Sequence, residues 1–243
     1  MAKIPKDPKE IFQEITDDYK DVFGGDLISI ILYGSAAGKD YRPGKSDINF
    51  MIILSDEGIE NLDKTFGIVT KWRKRKVATP LFLTRGYVGT STDVFPIEYL
   101  NFQRNHVLVY GEDILKDLSF NHDFIRLQCE REIKGKLLLL REAFLESSGK
   151  GRALKNIISQ SVQAFLAIFS ALLFLKGLDI PENRRSIIET TCETFEINSA
   201  LFKKLLDIRE RKIKPNDTDL LDIFKEYLKE IRKLSKIVDE LGG

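Results

Sequence analysis

The sequence predicts an α+β protein, a small mixed sheet with flanking helices followed by an all-helical bundle. Short β-rich runs alternate with helical patterns through the first 120 residues, the mark of a mixed layer structure. Beyond that point strand patterns stop, and apolar residues recur at helical spacing. With 243 residues, 43% of them hydrophobic, the chain can bury a core in each of two modest domains. The change of pattern puts their division at residues 1–118 and 119–243.

Residues 9–22, KEIFQEITDDYKDV, carry Ile11, Phe12, Ile15, Tyr19 and Val22 at the spacing of a helix lying on a sheet. Gly24-Gly25 ends it. ISIILY, residues 28–33, is a short apolar run suited to a central strand, and Gly34-Ser35 then turns the chain and opens a helix start. The loop KDYRPGKS follows, with Pro43-Gly44 as its turn signal, and residues 48–54 form a second strand. Residues 56–76 read as one helix, weakened internally by Gly67. Residues 80–84 are a third strand. Residues 92–97, TDVFPI, read as a fourth, which Pro96 confines to an edge or a strand end, and HVLVY at 106–110 is a fifth.

The helical part begins with a long charged amphipathic helix at 123–146 and a more apolar one at 152–176. Gly149 and Gly151 separate them, as in an antiparallel hairpin. Pro181 starts a further helical region, and another helix covers 198–212 until Pro215-Asn216-Asp217 breaks it. The last helix, 217–240, repeats Leu220, Ile223, Phe224, Leu228, Ile231, Leu234 and Ile237 on one face. The segment VQAFLAIFSALLFL, residues 162–175, is apolar at 12 of 14 positions. It falls short of the roughly 20 residues that span hydrocarbon, so a buried bundle helix is expected and membrane contact is not.

Thirty-eight basic and 37 acidic residues leave a formal charge of +1, which supplies no global attraction to nucleic acid. The basic run KWRKRK at 71–76 could follow a phosphate backbone. The same charges also suit the negative pole of a helix, so nucleic acid is not the favoured partner. Cys129 and Cys192 stand far apart and match no metal spacing, as expected of reduced structural thiols. The start MAKIPKDPKE lacks the apolar core of a signal peptide, and a cytoplasmic location is expected. His106 and His122 are the only histidines, and they form no metal cluster or nucleophile triad. The polar residues Gln128, Glu130, Arg131 and Glu132 open the first bundle helix; Arg126, Glu130, Lys134 and Arg141 have the spacing of helical ion pairs.

The chemistry-bearing stretch is YGSAAGKDYRPGKSDINFMIIL, residues 33–54. Gly34 permits a tight turn directly after a strand, and Ser35 with nearby N–H groups suits phosphate oxygens. By itself the pair reads as an ordinary turn with a helix cap, and only the downstream pattern favours phosphate binding. Asp47 and Asn49 lie two positions apart in a strand and so share a face. If the strand led by Asp93 is a neighbour, Asp47 and Asp93 can hold Mg²⁺ (or Mn²⁺), with Asn49 adding its carbonyl oxygen. Such an ion orients triphosphate oxygens. Glu98 is the rival third carboxylate, at the strand's end and on the opposite parity from Asp93. Lys39, Arg42 and Lys45 flank the loop and can neutralise phosphate, or simply solvate the loop.

Gly34-Ser35 followed by Ser46-Asp47-Ile48-Asn49-Phe50 resembles the signature of the polymerase-beta-like nucleotidyltransferase superfamily: Gly-Ser, a loop, then Asp-x-Asp or Asp-x-Glu in a strand, with a third carboxylate from a later strand. The match covers roughly residues 25–100. The helical part resembles, in general layout, the partner domain of small kanamycin-type nucleotidyltransferases. This resemblance implies that Gly34 and Ser35 receive the nucleotide's phosphates, that Asp47 is the first metal carboxylate, and that Asp93 is the third. It implies an enzyme that binds an NTP with Mg²⁺ and transfers its NMP group to a small-molecule or protein acceptor. Asn49 departs from the pattern, keeping an oxygen ligand but removing a negative charge beside the ion. A slow or unusual transferase is therefore set against a nucleotide-binding or regulatory protein that kept the fold without turnover. A third reading is an interaction protein, a homo-oligomer joined through its apolar helices. HEPN-type bundles with an Arg-x4-His ribonuclease motif are excluded, because no histidine follows residue 122.

Overall fold

A computed structural model describes residues 3–39 and 41–241. The chain forms two compact units: Met1–Val94 with Tyr99–Ser119, and Phe95–Glu98 with Phe120–Gly243. The first holds a mixed α+β layer structure and the second is all-helical.

In the first unit a 3₁₀ turn, Pro8–Ile11, leads into helix α1, Phe12–Phe23. Asp7 and Glu10 close a reciprocal capping box at its start, the Asp7 carboxylate accepting from the Lys9 N–H at 2.9 Å. The strands are β1 (Leu27–Tyr33), β2 (Asn49–Leu54), β3 (Leu81–Thr84) and β4 (His106–Gly111). Their order is β3-β2-β1-β4, with β1 antiparallel to β2 and β4 and β2 parallel to β3. Alternate residues of a strand share a face. Ile30, Leu32, Phe50, Ile52 and Leu54 therefore pack in one cluster with Ile11, Ile15, Tyr19 and Phe23. Ile31, Met51 and Ile53, which point the other way, are also fully buried. Burial on both faces explains why β1 and β2 read as continuous apolar runs.

Two expectations are corrected here. Residues 56–76 do not form one helix. They form α2 (Asp56–Ile59), a 3₁₀ turn (Leu62–Thr65) and α3 (Phe66–Arg73). The break falls at Asn61, which leaves helical geometry with φ −112° and ψ 29° while its side chain donates to the Glu57 carbonyl at 2.8 Å. Gly67 lies inside α3 with open space before it and breaks nothing. Residues 92–97 are not a strand either. Helix α4 (Arg85–Thr90), capped by the Thr84 hydroxyl, is followed by a turn and by α5 (Pro96–Arg104). Pro96 is the first residue of that helix, where its missing N–H and fixed φ do no harm. The sheet accordingly has four strands among the described residues.

Helix α3 is tied to α1 through Asp18. Its carboxylate accepts from the Trp72 indole N–H at 2.8 Å and from Lys71 Nζ at 2.7 Å. Neighbouring Glu14 pairs with Arg75 and Lys71, and those hydrogen bonds, from Arg75 first and Lys71 second, hold its carboxyl below the usual carboxylate range. Trp72 is fully buried. Asp18→Ala strips the indole N–H of its acceptor and should cost about 1–3 kcal/mol. A lowered urea midpoint at unchanged slope would record it, with Asp18→Asn, which retains an acceptor oxygen, losing less.

The second unit comprises α6 (His122–Ser147), α7 (Gly151–Leu175), α8 (Arg184–Thr194), α9 (Ser199–Arg209) and α10 (Asp217–Glu240). Asn121, Asn183, Asn198 and Asn216 cap four of these helices, each side chain accepting a backbone N–H of the first turn. The Asn183 cap, rather than Pro181, sets where α8 begins. Helix α7 packs against α6, α8, α9 and α10. By length and composition α7 could cross a membrane, yet 56% of its most apolar window is buried in the fold, so the apolar segment at 162–175 is largely core. Phe165, Phe169, Phe202, Phe224 and Tyr227 interlock there edge to face or tilted. Cys129 and Cys192 are free and buried, and burial pushes their thiols up, Cys192 to about 12. Gln128, also buried, accepts from the Ile97 N–H at 2.8 Å and donates to Glu98 at 2.7 Å. It thereby gives the Ile97 N–H an acceptor in the first turn of α5.

Candidate functional site

The site is built by the register of two antiparallel strands. Tyr33, the last residue of β1, pairs with Asn49, the first of β2. The turn after β1 therefore comes down beside the start of β2. Gly34 enters it at φ +75°, a left-handed conformation that costs a residue with a Cβ about 1–2 kcal/mol. A Cβ there would also lie 3.5 Å from Asn49 Nδ2, so turn and side chain are in contact. The helix start expected at Gly34-Ser35 is a single 3₁₀ turn, Gly34–Ala36, closed by the Ala37 N–H on the Gly34 carbonyl at 3.0 Å.

Asn105 holds this turn, and sequence reasoning missed it. Its Nδ2 donates to the Gly34 carbonyl at 2.9 Å, and its Oδ1 sits 3.1 Å from where a Cβ on Gly38 would be. Its only sequence signal is a lone Asn between a helix and a strand, a position common to many turns. Tyr33 packs edge-on against Phe102, with ring centroids 4.8 Å apart, and burial pushes its phenol above the ordinary 10. His106, opposite Tyr33 in β4, is pinned between backbone carbonyls of α5 and the Asp113 carboxylate at 3.0 Å. That is a structural role.

Asp47 stands just before β2 rather than inside it. Ile48 makes an isolated bridge with Val77, the Ile48 N–H donating to the Lys76 carbonyl at 2.9 Å. This pairing brings Lys76 Nζ to 3.9 Å from the Asp47 carboxylate, both side chains being well exposed. Lys76 was legible only as the last member of a basic run. Here it is a cation beside the first candidate metal ligand, where it offsets part of that ligand's charge. Arg42 and Lys45 are exposed on the intervening loop, which folds on itself through the Lys45 and Ser46 N–H groups on the Arg42 carbonyl. Lys39 is exposed at the end of the Gly34 turn and, with Lys6 and Lys9, lines a cleft of about 360 Å³ floored by Phe12, Leu32 and Ala36.

Asp93 sits on the exposed turn between α4 and α5, outside the sheet. Glu98 belongs to α5 and is engaged by Gln128. Among the described residues, no group of three or more His, Cys, Asp or Glu side chains gathers to hold a metal ion. The oxygen donors of Asp47 and Asn49 nevertheless suit one hard divalent cation by their chemistry, since Mg²⁺ sites often use one or two protein ligands and complete the shell with water and substrate phosphate. A symmetric two-ion site has too little negative charge here.

The four-stranded mixed sheet with its flanking helices, the Gly-Ser turn set against the next strand, and the helical bundle make an α+β architecture. Among solved structures, the chain is similar to the spectinomycin adenyltransferase AAD(9) from Enterococcus faecialis, solved with ATP and spectinomycin. The identity is 11% and the TM-score 0.48, over 90% of this chain and 99% of that one. No family model and no curated protein matches the chain.

Proposed function

We propose that the protein is a metal-dependent nucleotidyltransferase, moving an NMP group from an NTP to the hydroxyl of a small-molecule or protein acceptor. The observation that supports this most is the closure of the Gly34 turn onto Asn49, with Asp47 two residues earlier at the entry to the same strand. In this reading Gly34 and Ser35 receive the triphosphate, and Lys39, Arg42 and Lys45 neutralise it. Asp47 and Asn49 would hold Mg²⁺ or Mn²⁺, with water and the triphosphate completing its shell. When bound, the ion supplies charge for the phosphate oxygens. The acceptor oxygen forms a bond to the α-phosphorus, the α–β phosphoanhydride breaks, and pyrophosphate leaves. The hydroxyl proton passes to a carboxylate of this set. A cytoplasmic location fits an NTP substrate.

A second reading, nucleotide binding without turnover, is favoured by the same two facts: Asn49 carries no charge, and Lys76 offsets part of that of Asp47. Incubating the protein with each α-labelled NTP, Mg²⁺ or Mn²⁺ and cell extract separates the two. Transfer predicts a labelled product, and Asp47→Ala should reduce it by about a hundredfold or more, equivalent to about 2.7 kcal/mol of barrier. Binding of ATP without any labelled product selects the second reading. Failure to bind either nucleotide or metal removes both.

A further inference from the structure

Helix α6 has two apolar faces, and only one of them is used. Ile125, Cys129, Ile133, Leu137 and Leu140 are buried within the bundle. On another side Phe124, Leu127, Leu138, Leu139 and Leu145 are between 42% and 76% exposed. Phe124, Leu127, Leu138 and Leu145 share one stripe at 100° per residue, with Arg131 and Glu142 on the same stripe and Gly135 at its edge. A glycine in a helix interior weakens the helix. A Cβ on Gly135 would meet nothing within 4 Å, so packing inside this chain does not require it.

We propose that this stripe is an interface with a second copy of the chain, an antiparallel α6–α6 contact about a two-fold axis close to Gly135. The charges choose the occupant and the direction. Turning the stripe by 180° about a point between Arg131 and Leu138 sets Phe124 opposite the second copy's Leu145. It also sets Arg131 opposite the second copy's Leu138, one helical turn from the second copy's Glu142. The contact occurs twice by symmetry. A parallel pairing would instead set Arg131 on Arg131 and Glu142 on Glu142. The flanking charges are already used inside the chain: Glu130 with Arg126 and Lys134, Lys134 with Asp239, and Lys136 with Glu132. Glu142 has no ion-pair partner among the described residues, and Arg131 reaches only Glu132, at 3.9 Å. Gly135 lets the two backbones approach closely where they cross. The proposal concerns assembly alone and stands or falls apart from the transferase reading.

Sedimentation equilibrium and light scattering over a range of protein concentrations test it. The native chain should show a concentration-dependent dimer. Leu138→Glu should give the monomer mass, and Gly135→Leu should do the same while keeping native helicity by circular dichroism, since leucine favours a helix. Arg131→Glu and Glu142→Arg should each weaken association at least tenfold, and the double exchange should restore it. A native chain that stays monomeric at every concentration overturns the proposal. So does a dimer whose dissociation constant is unchanged by Leu138→Glu and Gly135→Leu.

Discussion

Gly111→Ala should cost about 3 kcal/mol or more and should part β4 from the sheet. Gly111 ends β4 opposite Ser29, at φ +77°. A Cβ there would stand 1.9 Å from the Ile28 carbonyl oxygen, 2.9 Å from its carbon and 3.1 Å from the Ser29 Cα. All three are backbone atoms of β1, so no rotamer change relieves the clash. The left-handed backbone costs about 1–2 kcal/mol, and overpacking of this kind adds about 1–3 kcal/mol. Against a total stability of about 5–15 kcal/mol for an ordinary domain, the loss is large enough to empty the soluble fraction. Urea unfolding of the purified variant, or its failure to accumulate, records the effect. Gly67→Ala is the contrast, because that site is helical and open, and it should gain up to about 1 kcal/mol. Equal midpoints for native protein and Gly111→Ala would contradict the packing described at Ile28.

Asn49→Asp should raise affinity for Mg²⁺ or Mn²⁺ by tenfold or more, about 1.4 kcal/mol. Aspartate has the shape of asparagine, so it fits beside Gly34, where Asn49 Nδ2 leaves 3.5 Å to the place a Cβ on that glycine would take. It adds one negative charge two residues after Asp47, whose own charge Lys76 only partly offsets. Without metal the two carboxylates repel and the variant should melt slightly below the native protein. With metal it should melt above, because an ion that binds only the folded state stabilises it by mass action. Calorimetric titration with Mn²⁺ and melting curves with and without the ion provide the readout. If the protein is a transferase, Asn49→Asp should also raise turnover. If it only binds nucleotide, the substitution should create turnover that the native chain lacks. An unchanged metal affinity would remove Asn49 from the ligand set.

Much of the candidate site was legible because its residues are close in sequence. Gly34, Asp47 and Asn49 lie within one hairpin-like unit, and the antiparallel register of β1 and β2 brings the turn to the strand. Lys76 and Asn105 were not legible as neighbours of that turn. They arrive from the bridge at Val77 and from the junction before β4, and long-range pairing leaves no periodicity in a single chain. The strand expected at 92–97 failed for a related reason. VFPI has strand composition, but composition cannot weigh it against a proline placed to open α5.

By itself the sequence determined the order and type of most elements and the turn glycines, because backbone sterics and apolar periodicity act over a few residues. It also placed the charge deficit at Asn49, a matter of residue identity. Only the tertiary structure decided which backbone atoms crowd Gly111, which cation stands beside Asp47, and which face of α6 is left exposed. Those depend on strand register and helix packing between segments far apart in the chain, where many pairings satisfy the same local pattern and mutual burial selects one.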